Sequence, residues 1–171
     1  DCEPVYLPTT TGTGFLPDLN AMVNELHALG FKVMVWVCPF VSPDCDVYRA
    51  LAKKKGFFMD QPGDPAMVKW WNGKSAMLDL SNPAAKTWFT GELTRLQTTY
   101  GVDGFKLDAG DTTFYKAQYL AHEKLDANEH ARLRADGEAA PEHEGRQPPE
   151  HGRRPRVLQL QQAVELMSRP F

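Results

Sequence analysis

The chain lacks several features that would each name a function class. No apolar run approaches the ~18 residues of a membrane span. Cysteine is scarce: Cys2, Cys38 and Cys45 are the whole set. An odd, sparse set is not a disulfide framework, although Cys38 and Cys45 could pair across a loop. A formal net charge of −3 leaves no basic surplus, which argues against nucleic acid as a partner. The Thr9–Gly14 run resembles a flexible turn, and it lacks the Gly-Lys-Ser/Thr ending of a phosphate loop. His130, His143 and His151 stand too far apart for a metal site, and no cofactor motif is present. No signal-peptide pattern is visible, and the sequence starts in mid-pattern at Asp1, so no compartment is assigned.

What is present suits one domain with a real core: 171 residues, 42% of them hydrophobic. Val5–Leu7 resembles the remnant of a strand. Leu19, Met22, Val23, Leu26 and Leu29 recur at helical spacing between Asp18, a natural N-cap after Pro17, and Gly30, a natural C-cap. His27 lies beside that stripe and is expected to pack or cap rather than bind metal. Residues 31–41 are nearly all apolar and predict a strand buried on both sides, closed by Pro39. A short helix is expected over 46–55, with Lys53–Lys55 as its solvated end. Residues 56–79 are expected to be a long loop holding adjacent Trp70 and Trp71, which either offer stacking faces to a ligand or seal an edge of the fold. Ser81 or Asn82 then caps a helix over 82–99, with Pro83 at its first position.

Helix, strand, helix, strand in this rhythm predicts an α/β fold with parallel strands. Functional side chains then belong at the carboxyl ends of strands. Two candidates sit there. Trp36 is near the end of the first strand, where core packing is its plain role. Asp108 ends the second, in the stretch Tyr100-Gly-Val-Asp-Gly-Phe-Lys-Leu-Asp-Ala-Gly-Asp111. Read alone, that stretch is either a strand capped by a turn, where Asp serves the backbone, or a strand presenting a carboxylate to a loop. Lys106, two residues earlier, is on the same side of the strand as Asp108.

Beyond residue 120 the composition changes. Phe114, Tyr115 and Tyr119 are the last aromatic cluster, and from His122 to Arg156 apolar periodicity nearly vanishes in favour of Arg, Glu, Pro and Gly. Such a stretch cannot bury enough surface to offset the entropy of ordering it. Val157–Met167 regains apolar residues and suits a short helix. Residues 1–120 are therefore expected to form the folded part. Residues 121–171 are expected to form a poorly ordered tail, of the kind a truncated copy or shifted reading frame leaves.

Phe105-Lys-Leu-Asp-Ala-Gly-Asp111 resembles the nucleophile segment of glycoside hydrolase family 31, in the branch with bacterial α-galactosidase-like relatives. Three upstream stretches agree in order: Phe15-Leu-Pro-Asp-Leu with Gly30-Phe-Lys-Val, Val35-Trp36-Val-Cys-Pro39, and Leu78-Asp-Leu-Ser-Asn-Pro83 with Trp88. Together they run over about residues 15–115. The resemblance implies a piece of a (β/α)8 TIM barrel that hydrolyses α-glycosides with retention, needs no cofactor and takes a carbohydrate as partner. It implies Asp108 as nucleophile, and Trp36, Trp71 and Lys106 as substrate contacts. Asp111, where the family usually has Glu, would anchor the loop or hold Lys106. The family's acid/base is an Asp downstream of an Arg. Here only Asp126 and Asp136 follow Asp111, both in the polar tail, so the chain is expected to be inactive alone. Two other readings remain: a non-catalytic carbohydrate-binding remnant, and a different α/β barrel whose Lys106 and Asp108 bind a metal or transfer a proton. The Asp-Ala-Gly run alone favours an α-galactoside.

Overall fold

The computed structural model describes residues 19–71, 73–136 and 156–159. The readings of residues 1–16 and the Asp18 cap lie outside them. Helix α1, Leu19–Ala28, buries Met22, Val23 and Leu26 on the expected face, and Gly30 follows in the left-handed conformation at φ 82°. Strand β1, Phe31–Val37, alternates rather than being buried on both sides: Val33, Val35 and Val37 are buried while Lys32, Met34 and Trp36 are half-buried. The half-buried face is where a closed barrel carries its inner layer of side chains.

The first strand stops at Val37 because the chain turns at Pro39, which has no N–H for the ladder. Its carbonyl instead accepts from Leu78 N–H at 2.8 Å. Strand β2, Phe40–Val41, then joins an antiparallel sheet. Helix α2, Asp46–Lys53, is capped by Cys45, whose Sγ accepts from Tyr48 N–H at 3.4 Å. The Cys38–Cys45 pairing is not formed. Cys38 is a buried thiol outside any disulfide, whereas Cys45 is disulfide-bonded.

Residues 56–79 are not a loop. They form strands β3, Met59–Gln61, and β4, Asp64–Pro65, followed by β5, Met67–Trp70, and β6, Gly73–Met77. The strands β5 and β6 make an antiparallel hairpin with Trp70 opposite Gly73, which takes φ 110°, a conformation that favours glycine. Val68 and Trp70 point inward, Met67 and Lys69 outward.

Helix α3, Pro83–Tyr100, starts where expected. Asn82 Oδ1 accepts from Ala84 N–H at 2.8 Å and Ala85 N–H at 3.4 Å, and Gly101 ends it with φ 72°. Strand β7, Gly104–Leu107, pairs parallel with β1, with Trp36 beside Lys106. Helix α4, Ala127–Asp136, and strand β8, Arg156–Gln159, lie within the stretch expected to be poorly ordered. The latter pairs parallel with the opposite edge of β1, so Val157–Gln159 is strand rather than helix. The remainder of the tail lies outside the described residues. The sheet order is β7-β1-β8, an open parallel sheet in the described residues, with α1 and α3 on one face. A second apolar cluster gathers Cys38, Phe40, Phe58, Trp70, Met77 and Ala109 at the carboxyl end of the strands. No helix among the described residues is long and apolar enough to cross a membrane.

Candidate active site

Asp108 begins the turn that ends β7. Its N–H donates to Val37 O at 2.9 Å, which continues the β1–β7 ladder by one rung. Its side chain is therefore placed by two strands, and it is a third exposed. Trp36, on the neighbouring strand, donates its indole N–H to Asp108 Oδ2. Lys106 Nζ donates to the same oxygen at 3.2 Å, and Ala109 N–H donates to Oδ1 at 3.0 Å. Ala109 is buried and takes φ 47°, which bends the chain sharply after the carboxylate. The positive φ of a non-glycine residue directly after Asp108 is strain held by the surrounding packing.

These donors hold the Asp108 carboxyl below the ordinary carboxylate range. The Trp36 N–H is the main cause, partial burial opposes it, and Lys106 and the Ala109 N–H reinforce it. Asp108 is thus an anion at neutral pH, the state a carboxylate nucleophile needs. Next to it, burial chiefly pushes the Cys38 thiol up to about 12, and the Asp108 charge adds to that. Cys38 is therefore a neutral thiol at neutral pH.

Trp36 is half-buried between the site and Trp70. The two rings stack with centroids 6.2 Å apart and planes 9° from parallel. Trp70 is fixed in turn by its N–H to Ser75 Oγ at 3.1 Å and by Phe40, with ring centroids 4.7 Å apart. Trp71 is 65% exposed and meets Trp70 edge to face at 5.1 Å. The structure brings Trp36, Lys106 and Asp108 together, whereas Trp71 reaches them only through Trp70. Asp111 is exposed, precedes the short helical turn Thr112–Phe114 and makes no side-chain cap bond to it. Lys106 is paired with Asp108 and not with Asp111.

Three groups take positions here that the sequence did not assign them. Trp70, rather than Trp71, backs Trp36; the inward alternation of Val68 and Trp70 was the available signal. Asp79 is fully buried and bonded to Ser81 and His122, in an apolar stretch where a lone carboxylate is unusual. His130 packs in the aromatic layer, stacked on Tyr115 at 5.7 Å and edge-on to Phe58 at 4.8 Å. Burial lowers its basicity against the opposing pull of Asp79, Glu129, Asp126 and Glu123. His27 is a packed partner as expected: its Nε2 lies 2.6 Å from Asp103 Oδ2. Among the described residues, no group of three or more His, Cys, Asp or Glu is arranged to hold a metal ion.

Comparison with known proteins fits this geometry. Residues 9–153 match the family model for the TIM-barrel domain of glycosyl hydrolases family 31. The match runs further into the tail than the sequence motifs do. The chain is 34% identical over 123 residues to the myogenesis-regulating glycosidase of Mus musculus, covering 71% of this chain and 17% of that protein. It is 31% identical over 102 residues to an alpha-xylosidase of Emericella nidulans, covering 58% of this chain and 13% of that protein. A family 31 sulfoquinovosidase from E. rectale, solved with an aza-sugar inhibitor, superposes with a TM-score of 0.59 at 25% identity, covering 71% of this chain and 19% of that one. The chain thus spans less than a fifth of the length of each of these relatives. With the strand-end carboxylate, its strand partners and the family match in agreement, the chain belongs to glycosyl hydrolase family 31, as part of its TIM-barrel domain.

Proposed function

We propose that the chain carries the nucleophile half of a retaining α-glycosidase site. The observation that carries this reading is the Asp108 carboxylate at the end of β7, gripped on Oδ2 by Trp36 and Lys106 and on Oδ1 by the Ala109 N–H. Asp108 attacks the anomeric carbon and forms a glycosyl ester as the bond to the leaving oxygen breaks. That oxygen takes a proton from a second carboxyl group about 5–5.5 Å away, which later activates the water that releases the sugar. Trp36 forms one wall of the sugar pocket, Lys106 binds a hydroxyl while keeping Asp108 ionised, and Trp71 offers an exposed ring face further out. Asp111 contributes to the turn after the nucleophile through its backbone carbonyl, which accepts from Phe114 N–H at 3.0 Å.

The acid/base belongs, in this reading, to a segment outside this chain. Asp126 is engaged elsewhere, since its Oδ1 accepts from Asn128 N–H at 2.8 Å and Glu129 N–H at 2.9 Å, at the start of α4. In this reading residues 1–120 are the catalytic-barrel part and 121–171 a tail whose described residues join it through His122, Glu123 and His130 and through β8 along β1. The substrate is an α-glycoside, of galacto, gluco or xylo configuration.

A missing general acid typically costs ~10²–10⁴ in rate, but fluoride leaves without a proton. Ring-fluorinated α-glycosyl fluorides of the three configurations should therefore label the chain even without the acid/base. Mass spectrometry should find one glycosyl group on the peptide containing Asp108, and none in Asp108→Asn. Failure of all three sugars to label a folded chain would refute the nucleophile assignment. Sugar binding without labelling, abolished by Trp71→Ala, would favour a carbohydrate-binding remnant.

A further inference from the structure

The loop that follows Asp108 is pinned at its far end by groups that no step of the proposed reaction uses. Asp79 is 0% exposed. Its Oδ1 accepts from Ser81 N–H at 3.0 Å and Ser81 Oγ–H at 2.5 Å, and its Oδ2 accepts from His122 N–H at 2.5 Å. Ser81 Oγ accepts in turn from Glu123 N–H at 3.0 Å. Two residues earlier, Leu120 and Met59 exchange both backbone bonds, at 2.9 and 2.8 Å. A buried carboxylate is costly unless donors surround it. Here the donors to the carboxylate are the Ser81 N–H, the Ser81 hydroxyl and the His122 N–H, and the hydroxyl extends the network to the next N–H of the same irregular segment, that of Glu123.

We propose that Asp79 and Ser81 form a latch that positions the loop between Asp108 and Glu123, and through it the nucleophile. Between the latch and β7 the loop lays Phe114 on Phe40 and Tyr115 on Phe58, with ring centroids 5.3 and 5.5 Å apart. Phe40 also packs on Trp70, and Trp70 stacks on Trp36, the main donor to Asp108. Asp79 is a positioning residue in this scheme. It sits on the segment between β6 and α3, touches neither Trp36 nor Asp108, and acts through the aromatic layer. Its catalytic meaning rests on the glycosidase reading, but the latch is tested by its structural effect, so the two can fail separately.

The experiment uses the full chain, ¹⁵N-labelled, with Asp79→Asn and Ser81→Ala. In Asp79→Asn the amide can accept at one end only; either orientation sets an NH₂ against an existing donor. Ser81→Ala removes the acceptor of Glu123 N–H and keeps the carboxylate, so it serves if Asp79→Asn fails to fold. Trp36→Phe assigns the Trp36 indole resonance, and Asp108→Asn gives its position without the carboxylate. We expect the His122 and Glu123 amides to exchange at least about tenfold faster in both variants, with β1 amides unchanged. The Trp36 indole resonance should move toward its Asp108→Asn position. Unchanged exchange at His122 and Glu123 would overturn the latch. Faster exchange with an unmoved Trp36 resonance would overturn its link to the nucleophile.

Discussion

Asp103 should be a large contributor to the stability of the sheet, and Asp103→Ala tests it. The residue stands just before β7 and ties three elements together. Its Oδ2 accepts from Val33 N–H at 2.8 Å on β1 and faces His27 Nε2 of α1 at 2.6 Å, and its Oδ1 accepts from Lys32 Nζ at 2.7 Å. Its carboxyl lies below the ordinary range: burial opposes this, and Lys32, the Val33 N–H and His27 outweigh burial. Val33 is fully buried, so removing the acceptor strands a backbone N–H; a hydrogen bond to a charged group is worth ~1.5–3 kcal/mol. Lys32 is 43% exposed, so its ion pair adds only ~0.2–1 kcal/mol. The sum is about 2–4 kcal/mol at neutral pH, and less for Asp103→Asn, which keeps a neutral acceptor. The sign of the pH dependence follows from the depressed folded value. The charge-dependent part is present above the unfolded carboxylate value of about 3.9 and is lost as pH falls through the folded one. Urea unfolding of both chains at a series of pH values measures the difference directly. A loss under about 0.5 kcal/mol at neutral pH, the level of an ordinary surface change, would refute the staple. A difference that stays constant down to acid pH would refute the electrostatic account.

Trp36→Phe removes the main donor to Asp108 while keeping an aromatic ring. The Asp108 carboxyl should titrate higher, back toward the ordinary range, as followed by its ¹³C resonance; an unmoved titration would mean Lys106 and the Ala109 N–H suffice. Cys38, with its thiol pushed up to about 12, should resist alkylation at mildly alkaline pH in the folded chain and react once urea is added. Fast native alkylation would contradict its burial. Asn82→Ala removes the α3 cap and also the Nδ2 bonds to Lys54 O at 3.1 Å and Lys55 O at 3.0 Å. It should cost about 1–3 kcal/mol in urea unfolding, and Asn82→Asp, which keeps the cap but sets a carboxylate oxygen against both carbonyls, should not recover full stability.

Helices α1 and α3 and strand β1 were legible because their signals are long, whereas α4 lies where apolar periodicity nearly vanishes and β8 at the end of that stretch. The apolar stripe of α1, the Asn82-Pro83 start and Gly101 end of α3, and the apolar run of β1 each extend over several residues in register with one period. The hairpin of β5 and β6 was not, because Gly73, Lys74 and Ser75 dilute the strand pattern. The alternation that betrays it is confined to Met67–Trp70. β-propensity is a statement about packing, and what that hairpin packs on, Phe40 and Phe58, is remote in sequence. The same limit hid Asp79: its partner at His122 is 43 residues away, and no local rule pairs a carboxylate with a distant backbone N–H. By contrast, Lys106 and Asp108 could be paired from sequence, since strand alternation is local.

The two carboxylates at either end of β7 answer one physical problem. The contacts around Asp108 depend on Trp36 standing beside Lys106 across the β1–β7 ladder. A one-residue slip would turn every side chain of one strand to the other face and part the indole from Asp108. Both faces of the short β7 carry groups that cannot exchange places: Phe105 is buried in the core and Lys106 is exposed to the site. Below the ladder, Asp103 bonds Val33 in both directions, N–H to O at 2.8 Å and carboxylate to N–H at 2.8 Å. Above it, Asp108 N–H reaches Val37 O at 2.9 Å. A strand of four residues has little ladder of its own to resist slippage, so its register is set by the two flanking residues. The lower carboxylate spends its hydrogen bonds on β1 and on α1. The upper one holds the register through its backbone N–H, while its side chain accepts from Trp36, Lys106 and the Ala109 N–H.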